Sequence, residues 1–118
     1  MQDFKKLVVW QKARSLTVSC YQVTNKFPTA EQFGLTSQIR RCAVSIMANI
    51  AEGCGRATKL DFKRFMGMAA GSLCELECHL ILALDLKLIA SKQFDELNES
   101  LTEVRKMLSS FMARLQEA

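Results

Sequence analysis

One histidine, five cysteines and a scattering of clustered cations are the side chains of this 118-residue chain whose types and spacing invite a chemical reading. Helical bundles hold paired metal ions through Glu-x-x-His motifs, which bring both ligands to one helix face. Here the only histidine, His79, follows Glu75 by four residues, so no such motif exists. Cys74, Cys78 and His79 make a poor zinc set, because the consecutive Cys78 and His79 point about 100° apart on a helix. The stretch Gly53-Cys54-Gly55-Arg56 lacks the lysine-threonine ending of a phosphate-cradling loop, and it leaves a helix where such a loop follows a strand. A cysteine nucleophile needs a histidine base within hydrogen-bond reach, and the sequence does not place His79 convincingly beside any cysteine. The chain is therefore read as a non-enzyme, with no catalytic residue, no metal ligand set and no cofactor.

Cations are the remaining candidates. Lys12, Arg14, Arg40, Arg41, Arg56, Lys59, Lys63 and Arg64 form a candidate nucleic-acid-binding set. Arg56, Lys59, Lys63 and Arg64 surround the start of a predicted helix, whose N-terminus itself attracts phosphate. The net charge of +4 is uneven: residues 1–64 carry 11 Lys/Arg against 4 Asp/Glu, and residues 65–118 carry 5 against 8. In one copy, a solvated face with some ion pairs accounts for this, but repetition around a closed ring multiplies both the charge and the phosphate contacts. No aromatic stacking platform is recognisable, so binding is expected to backbone and shape and not to base sequence.

The elements that must position these residues are helices. Hydrophobic residues make up 49% of the chain, with one proline and five glycines, a balance that suits packed helices in a single domain over residues 1–118. Four of the five cysteines fall in apolar helical stretches and read as small buried hydrophobes in a reducing cytoplasm. The apolar run Leu7 to Trp10 is too short for a signal-peptide core, and uncharged runs elsewhere reach about ten residues, short of the roughly 20 of a membrane span. The expectation is a cytoplasmic protein, neither exported nor membrane-spanning.

Apolar residues at helical spacing mark four segments. The first, about Lys6 to Lys26, carries Val9, Ala13, Leu16, Cys20, Val23 and Phe27, and Pro28 ends it. The second, about Leu35 to Gly53, carries Leu35, Ile39, Cys42, Ile46, Asn49 and Gly53, with glycines at its exit suited to a left-handed helix end. Thr58 with Asp61 caps a third, about Lys59 to Leu86, whose stripe is Phe62, Met66, Ala69, Leu73, Leu76, Leu80 and Ala83. Ser91 is the predicted N-cap of the fourth, which keeps an unbroken heptad from Phe94 through Leu97, Leu101, Val104, Leu108 and Phe111 to Leu115. Four such helices with short connections pack as an antiparallel up-down-up-down four-helix bundle of the all-α class.

The fourth helix keeps a polar outer face, but the second and third do not. No charged residue occurs between Cys42 and Ala51, and between Met66 and Leu84 the only ionisable side chains besides cysteine are Glu75, Glu77 and His79. A helix apolar nearly all round must be covered on a second side. Gly67, Gly71, Cys74 and Cys78 add a row of small residues that lets another helix approach. The predicted oligomer interface is Val44, Met47, Ala48, Ala51, Gly67, Met68, Gly71, Cys74, Cys78 and Ile81. Asn49, on the core stripe, reads as a polar residue that fixes register, together with Glu75 and with Glu52, which is expected to pair with Arg40, Arg41 or Arg56 across a helix or subunit contact.

Phe4-x-x-Leu7-x-Val9-Trp10-x-Lys12-Ala13 and Phe27-Pro28-x-x-Glu31-x-Phe33-Gly34-Leu35-Thr36-x-Gln38-Ile39-Arg40-Arg41 resemble the opening of the four-helix bundle proteins encoded in 23S rRNA intervening sequences. Ser45-Ile46, Asn49-Ile50-Ala51-Glu52-Gly53, Gly55-Arg56 and Ala70-Gly71-Ser72-Leu73-x-Glu75-Leu76-Glu77 continue the resemblance through the third helix. The family's usual Ser-Ile-Pro-Ser-Asn is Ser45-Ile46-Met47-Ala48-Asn49 here, which suggests a straighter second helix. The resemblance implies a homopentameric ring. It extends to the accessory variability proteins of diversity-generating retroelements, basic barrels that bind nucleic acid and a reverse transcriptase. The expectation for function is thus a non-catalytic homo-oligomer that binds nucleic acid, RNA above DNA, with a protein-binding module, such as a reverse transcriptase accessory subunit, as the alternative.

Overall fold

A computed structural model describes residues 2–117, with side chains described through Leu115. After a single 3-10 turn at Phe4–Lys6, helix α1 runs Val8–Thr24, α2 Leu35–Cys54, α3 Lys59–Asp85 and α4 Ser91–Glu117. A second 3-10 turn at Thr29–Glu31 lies in the α1–α2 connection. Among the described residues every regular element is helical. Contacts join α1 to α2, α2 to α3, α3 to α4 and α4 back to α1, with none across the diagonals. Helices of this length linked by short turns close such a square only by alternating direction. The result is an up-down-up-down bundle 46 Å long and 23 by 20 Å across.

Most residues of the predicted stripes form the core, while Val23, Phe94, Phe111 and Leu115 pack half-buried against it. Val9, Ala13, Leu16, Cys20, Ile39, Cys42, Ile46, Met66, Ala69, Leu73, Leu76, Leu80, Leu97, Leu101, Val104 and Leu108 are all buried in one cluster. Thr17, also buried, shares its hydroxyl between the Ala13 carbonyl at 2.8 Å and the Ala43 carbonyl of α2 at 3.1 Å, so its polar atom is satisfied inside the α1–α2 contact.

Helix ends follow the sequence in part. Thr58 Oγ1 accepts from the Asp61 N–H at 3.1 Å, the cap expected for α3. Helix α1 stops at Thr24, before the chain reaches Pro28. Ser91 is already helical. The residue ahead of it, Ala90, donates its N–H to Gln93 Oε1 at 3.1 Å, so a side chain in the first turn reaches back where Ser91 was expected to reach forward. At the end of α3, Lys87 takes φ 61°, and the bonds Lys87 N–H to Leu84 O and Leu88 N–H to Ala83 O close a Schellman turn.

The glycines at the exit of α2 do a different job from the one their type suggested. No glycine among the described residues has positive φ. Gly53 is needed because a Cβ there would stand 3.0 Å from Met66 Cε, Phe62 Cδ1 and Phe65 Cβ, so the missing side chain lets α2 and α3 meet closely.

Helix α3 is the one described helix long and apolar enough, by length and composition, to cross a membrane, and only 28% of its most apolar stretch is buried. Counting uncharged runs missed this, because Glu75 and Glu77 interrupt an otherwise apolar segment. Its inner face is nevertheless the bundle core.

Candidate functional site

The outward faces of α2 and α3 carry the predicted interface residues. Val44, Ala48, Gly67, Met68, Gly71, Cys74, Cys78 and Ile81 are exposed, and Met47 and Ala51 are half-buried. Met68 keeps 49% and Ile81 46% of its surface in the open, and Leu60 at the head of the same α3 row keeps 78%. A Cβ on Gly67 or Gly71 would meet no atom within 4 Å, so nothing inside the chain requires these residues to be glycine. Of the cysteines, all free, Cys20, Cys42 and Cys54 are buried as expected. Cys74 and Cys78 are not, because the small-residue row of α3 faces away from the bundle.

The eight predicted cations do not form one patch in a single chain. Arg40 and Arg41 lie near the α1–α2 turn, whereas Arg56, Lys59, Lys63 and Arg64 lie near the α2–α3 turn, about 24 Å away along the helix axis at 1.5 Å per residue. Lys12 and Arg14 sit on α1, where Lys12 is bound to Glu103 of α4 at 3.0 Å and Arg14 lies over the Trp10 ring. Arg56 pairs with Glu52 at 3.6 Å, one turn back along its own segment and not across a helix, and its guanidinium also lies over the Phe65 ring. Arg64 pairs with Asp61 at 3.8 Å. All these ion pairs are solvent-exposed, and exposed pairs hold their partners only weakly.

At the α1–α2 end, Arg40 stacks over Tyr21 at 4.6 Å and donates to Thr24 Oγ1 at 2.9 Å and Asn25 Oδ1 at 3.0 Å. Beside it opens a groove of about 670 Å³ lined by Tyr21, Phe33, Arg41 and Val44 among others. Phe33 is 90% exposed. Phe33 thus presents an open aromatic ring at a groove that Arg40 and Arg41 also line, which the sequence did not reveal because Phe33 stands in a connection outside any periodic pattern.

Between α2 and α3 runs a polar seam. Asn49 does not enter the core: it is half-buried, and Ile50 takes the core position one residue on. Its Nδ2 donates to the Ser45 carbonyl at 2.8 Å and to Ser45 Oγ at 3.0 Å, and Ser45 Oγ meets Ser72 Oγ of α3 at 2.9 Å. One turn further along α3, Glu75 and His79 face Cys42 of α2, so the tertiary structure sets the histidine near a cysteine after all. Burial, then the Glu75 carboxylate, pushes the Cys42 thiol up to about 11. A thiol held protonated in this way is not a nucleophile at neutral pH.

Residues 5–110 match the 23S rRNA-intervening sequence protein family. The chain belongs to that family. It is similar to a crystal structure of a protein of unknown function from the S23 ribosomal protein family of Bacteroides thetaiotaomicron, with TM-score 0.81, 28% identity, and coverage of 89% of this chain and 98% of that one. No curated protein matches it.

In this intervening-sequence protein the family motifs fall on distinct structural tasks. Gly53 makes the close α2–α3 crossing, Asn49 and Ser45 form the seam, and Gly71 opens the outward face. Arg40 and Phe33 border the groove at the α1–α2 turn.

Proposed function

We propose that this protein is a non-catalytic homo-oligomer, a pentameric ring of four-helix bundles, that binds RNA through cations repeated around the assembly. The observation that carries this reading is the apolar outward face of α2 and α3, from Leu60 through Gly67, Met68 and Gly71 to Ile81, which a lone chain leaves uncovered between two groups of cations. Covering that face with copies of the chain buries the apolar row and brings the cation groups of neighbouring copies onto common rims. Phosphates supply the attraction, and Phe33 beside Arg41 supplies a ring on which an unpaired base can stack. In this reading the protein works in the cytoplasm, in keeping with five free cysteines.

A second reading is a protein-binding module, such as an accessory subunit of a reverse transcriptase. The pairing of Lys12, Arg56 and Arg64 with carboxylates of the same chain favours it. One titration separates the two. Affinity for a structured RNA is measured as salt is raised, with the parent chain and with Lys59→Glu, Lys63→Glu and Arg64→Glu combined. Phosphate binding predicts a log-log slope of roughly −0.7 to −0.9 per contact and loss of binding in the triple variant with assembly intact. Absence of RNA binding by the parent at low salt, or unchanged affinity in the variant, leaves the second reading.

A further inference from the structure

Cys42, Glu75 and His79 form one group at the edge of the α2–α3 seam, with ligand atoms all within 4.8 Å of one another. We propose that these three side chains bind a single divalent transition-metal ion of the zinc class, in a site complete within one chain and open at its fourth position. The proposal is independent of RNA binding and of assembly.

The helices set the geometry. Glu75 and His79 are one turn apart on the same flank of α3, so both side chains lean toward α2. Cys42 enters from α2, its position fixed by a core in which Ile39 and Ile46 are fully buried. In a tetrahedral zinc site, bond lengths near 2.0–2.3 Å place ligand atoms roughly 3.4–3.7 Å apart. Glu75 Oε1 and His79 Nε2, 3.5 Å apart, already meet that spacing, and the distances to Cys42 Sγ are within 4.8 Å, close enough for small side-chain rotations to complete the set. Glu75 is the one free to move, since its side chain is 59% exposed, and it leaves an entrance for the ion.

The second observation is an orphan. His79 Nε2 is cut off from solvent and has no hydrogen-bond partner, and Glu75 Oε1 stands 3.5 Å away without bonding to it. Buried ring nitrogens are ordinarily paired, and a bound ion would accept this one's lone pair. The donor set decides the class of ion. A thiolate and an imidazole suit zinc and its neighbours and disfavour calcium or magnesium, which take oxygen. One thiolate and one carboxylate also match the charge of a divalent cation. Three protein ligands with a fourth position left for water or another small donor is the open arrangement of zinc sites.

The test uses the whole chain, reduced and stripped of metal, titrated with Zn(II) and in parallel with Co(II). The expected result is one equivalent per chain, a thermal transition raised by the metal, and a thiolate-to-cobalt charge-transfer band. Cys42→Ala abolishes that band, His79→Gln and Glu75→Gln each weaken binding roughly tenfold or more, and the double variant Cys74→Ser with Cys78→Ser keeps it. His79→Gln lies on the half-exposed flank and tests the site even if Cys42→Ala fails to fold. The proposal is overturned if the parent retains no metal after gel filtration, if the cobalt band survives Cys42→Ala, or if His79→Gln binds the metal as tightly as the parent. Loss of the band with the Cys74 and Cys78 substitutions overturns it equally, because the exposed cysteines would then be the ligands.

Discussion

The α4 side and the α2–α3 side of this bundle are built from the same heptad-like logic yet finished differently. Helix α4 packs Leu97, Leu101, Val104 and Leu108 inward and turns Asp95, Glu96, Glu99, Lys106 and Arg114 outward. Its charges also tie it to its neighbours, through Glu103 to Lys12 at 3.0 Å and Arg105 to Glu77 at 2.7 Å. Helices α2 and α3 bury an equally regular stripe, but their outer surfaces offer Val44, Ala48, Met68, Ile81 and two glycines. The first side is finished against water and the second is not. A single chain can thus be complete as a fold while one of its faces remains fit for burial against another surface.

The largest expected effect tests that contrast directly. Met68→Glu combined with Ile81→Glu places carboxylates on the uncovered α3 row and is expected to abolish assembly at micromolar concentration, read by sedimentation equilibrium. A pair with the same charge change of −2 on the other side, Lys92→Gln with Lys106→Gln at exposed positions of α4, leaves the mass unchanged. Equal behaviour of the two pairs would remove the distinction between the faces.

A comparison among glycines sharpens it. Gly53→Ala inserts a methyl group 3.0 Å from three neighbours, one of them the fixed Phe65 Cβ, and is expected to lower folding stability by about 1–3 kcal/mol. Gly67→Ala and Gly71→Ala meet open space, and each is expected to raise the stability of the dissociated chain by about 1 kcal/mol through helix propensity alone. Denaturant titration at low protein concentration checks the signs. In the assembled state the second pair should cost affinity, because the methyl groups enter the space a neighbouring helix would use.

The remaining contrast, invisible at neutral pH, is between the cysteines of the two environments. Burial, then the charge of Cys42, raises Cys20 from 9.0 to about 12. The folded state therefore keeps a proton that the unfolded chain releases above pH 9, so this contribution is intact at neutral pH and declines as pH climbs toward 12. The slope is about 1.4 kcal/mol per pH unit, measurable as a flatter decline in Cys20→Ala. Cys74 and Cys78, on the exposed row, are expected to react with an alkylating agent in the folded, dissociated chain and to be protected in the assembly, whereas Cys20 reacts only on unfolding.

The core was legible because burial and helical period coincide: every residue of the α3 stripe from Phe62 to Ala83 is inside. The uncovered face was legible for the complementary reason, since a stretch without charges has no side suited to water. Asn49 was misplaced because a step of three or four residues fits position 49 or 50 equally well, and only packing against α3 chooses Ile50. Gly53, at the exit of α2, pointed to a turn conformation when the requirement was room. The exposure of Phe33 was not legible, because a residue in a connection has no period to reveal which way it faces.

Amino-acid order alone determined the number of helices, their inward stripes, the cap at Thr58 and the imbalance of charge, since each follows from spacing within one segment. The tertiary structure decided what lies across a helix boundary: the pairing of Arg105 with Glu77, the chain of Asn49, Ser45 and Ser72, and the meeting of Cys42 with Glu75 and His79. Cys42 and His79 stand on separate helices, and the axial offset and rotation of α2 against α3 bring them together. Those two quantities come from the close approach at Gly53 and the interlocking of the core, and no periodicity within a single helix contains them.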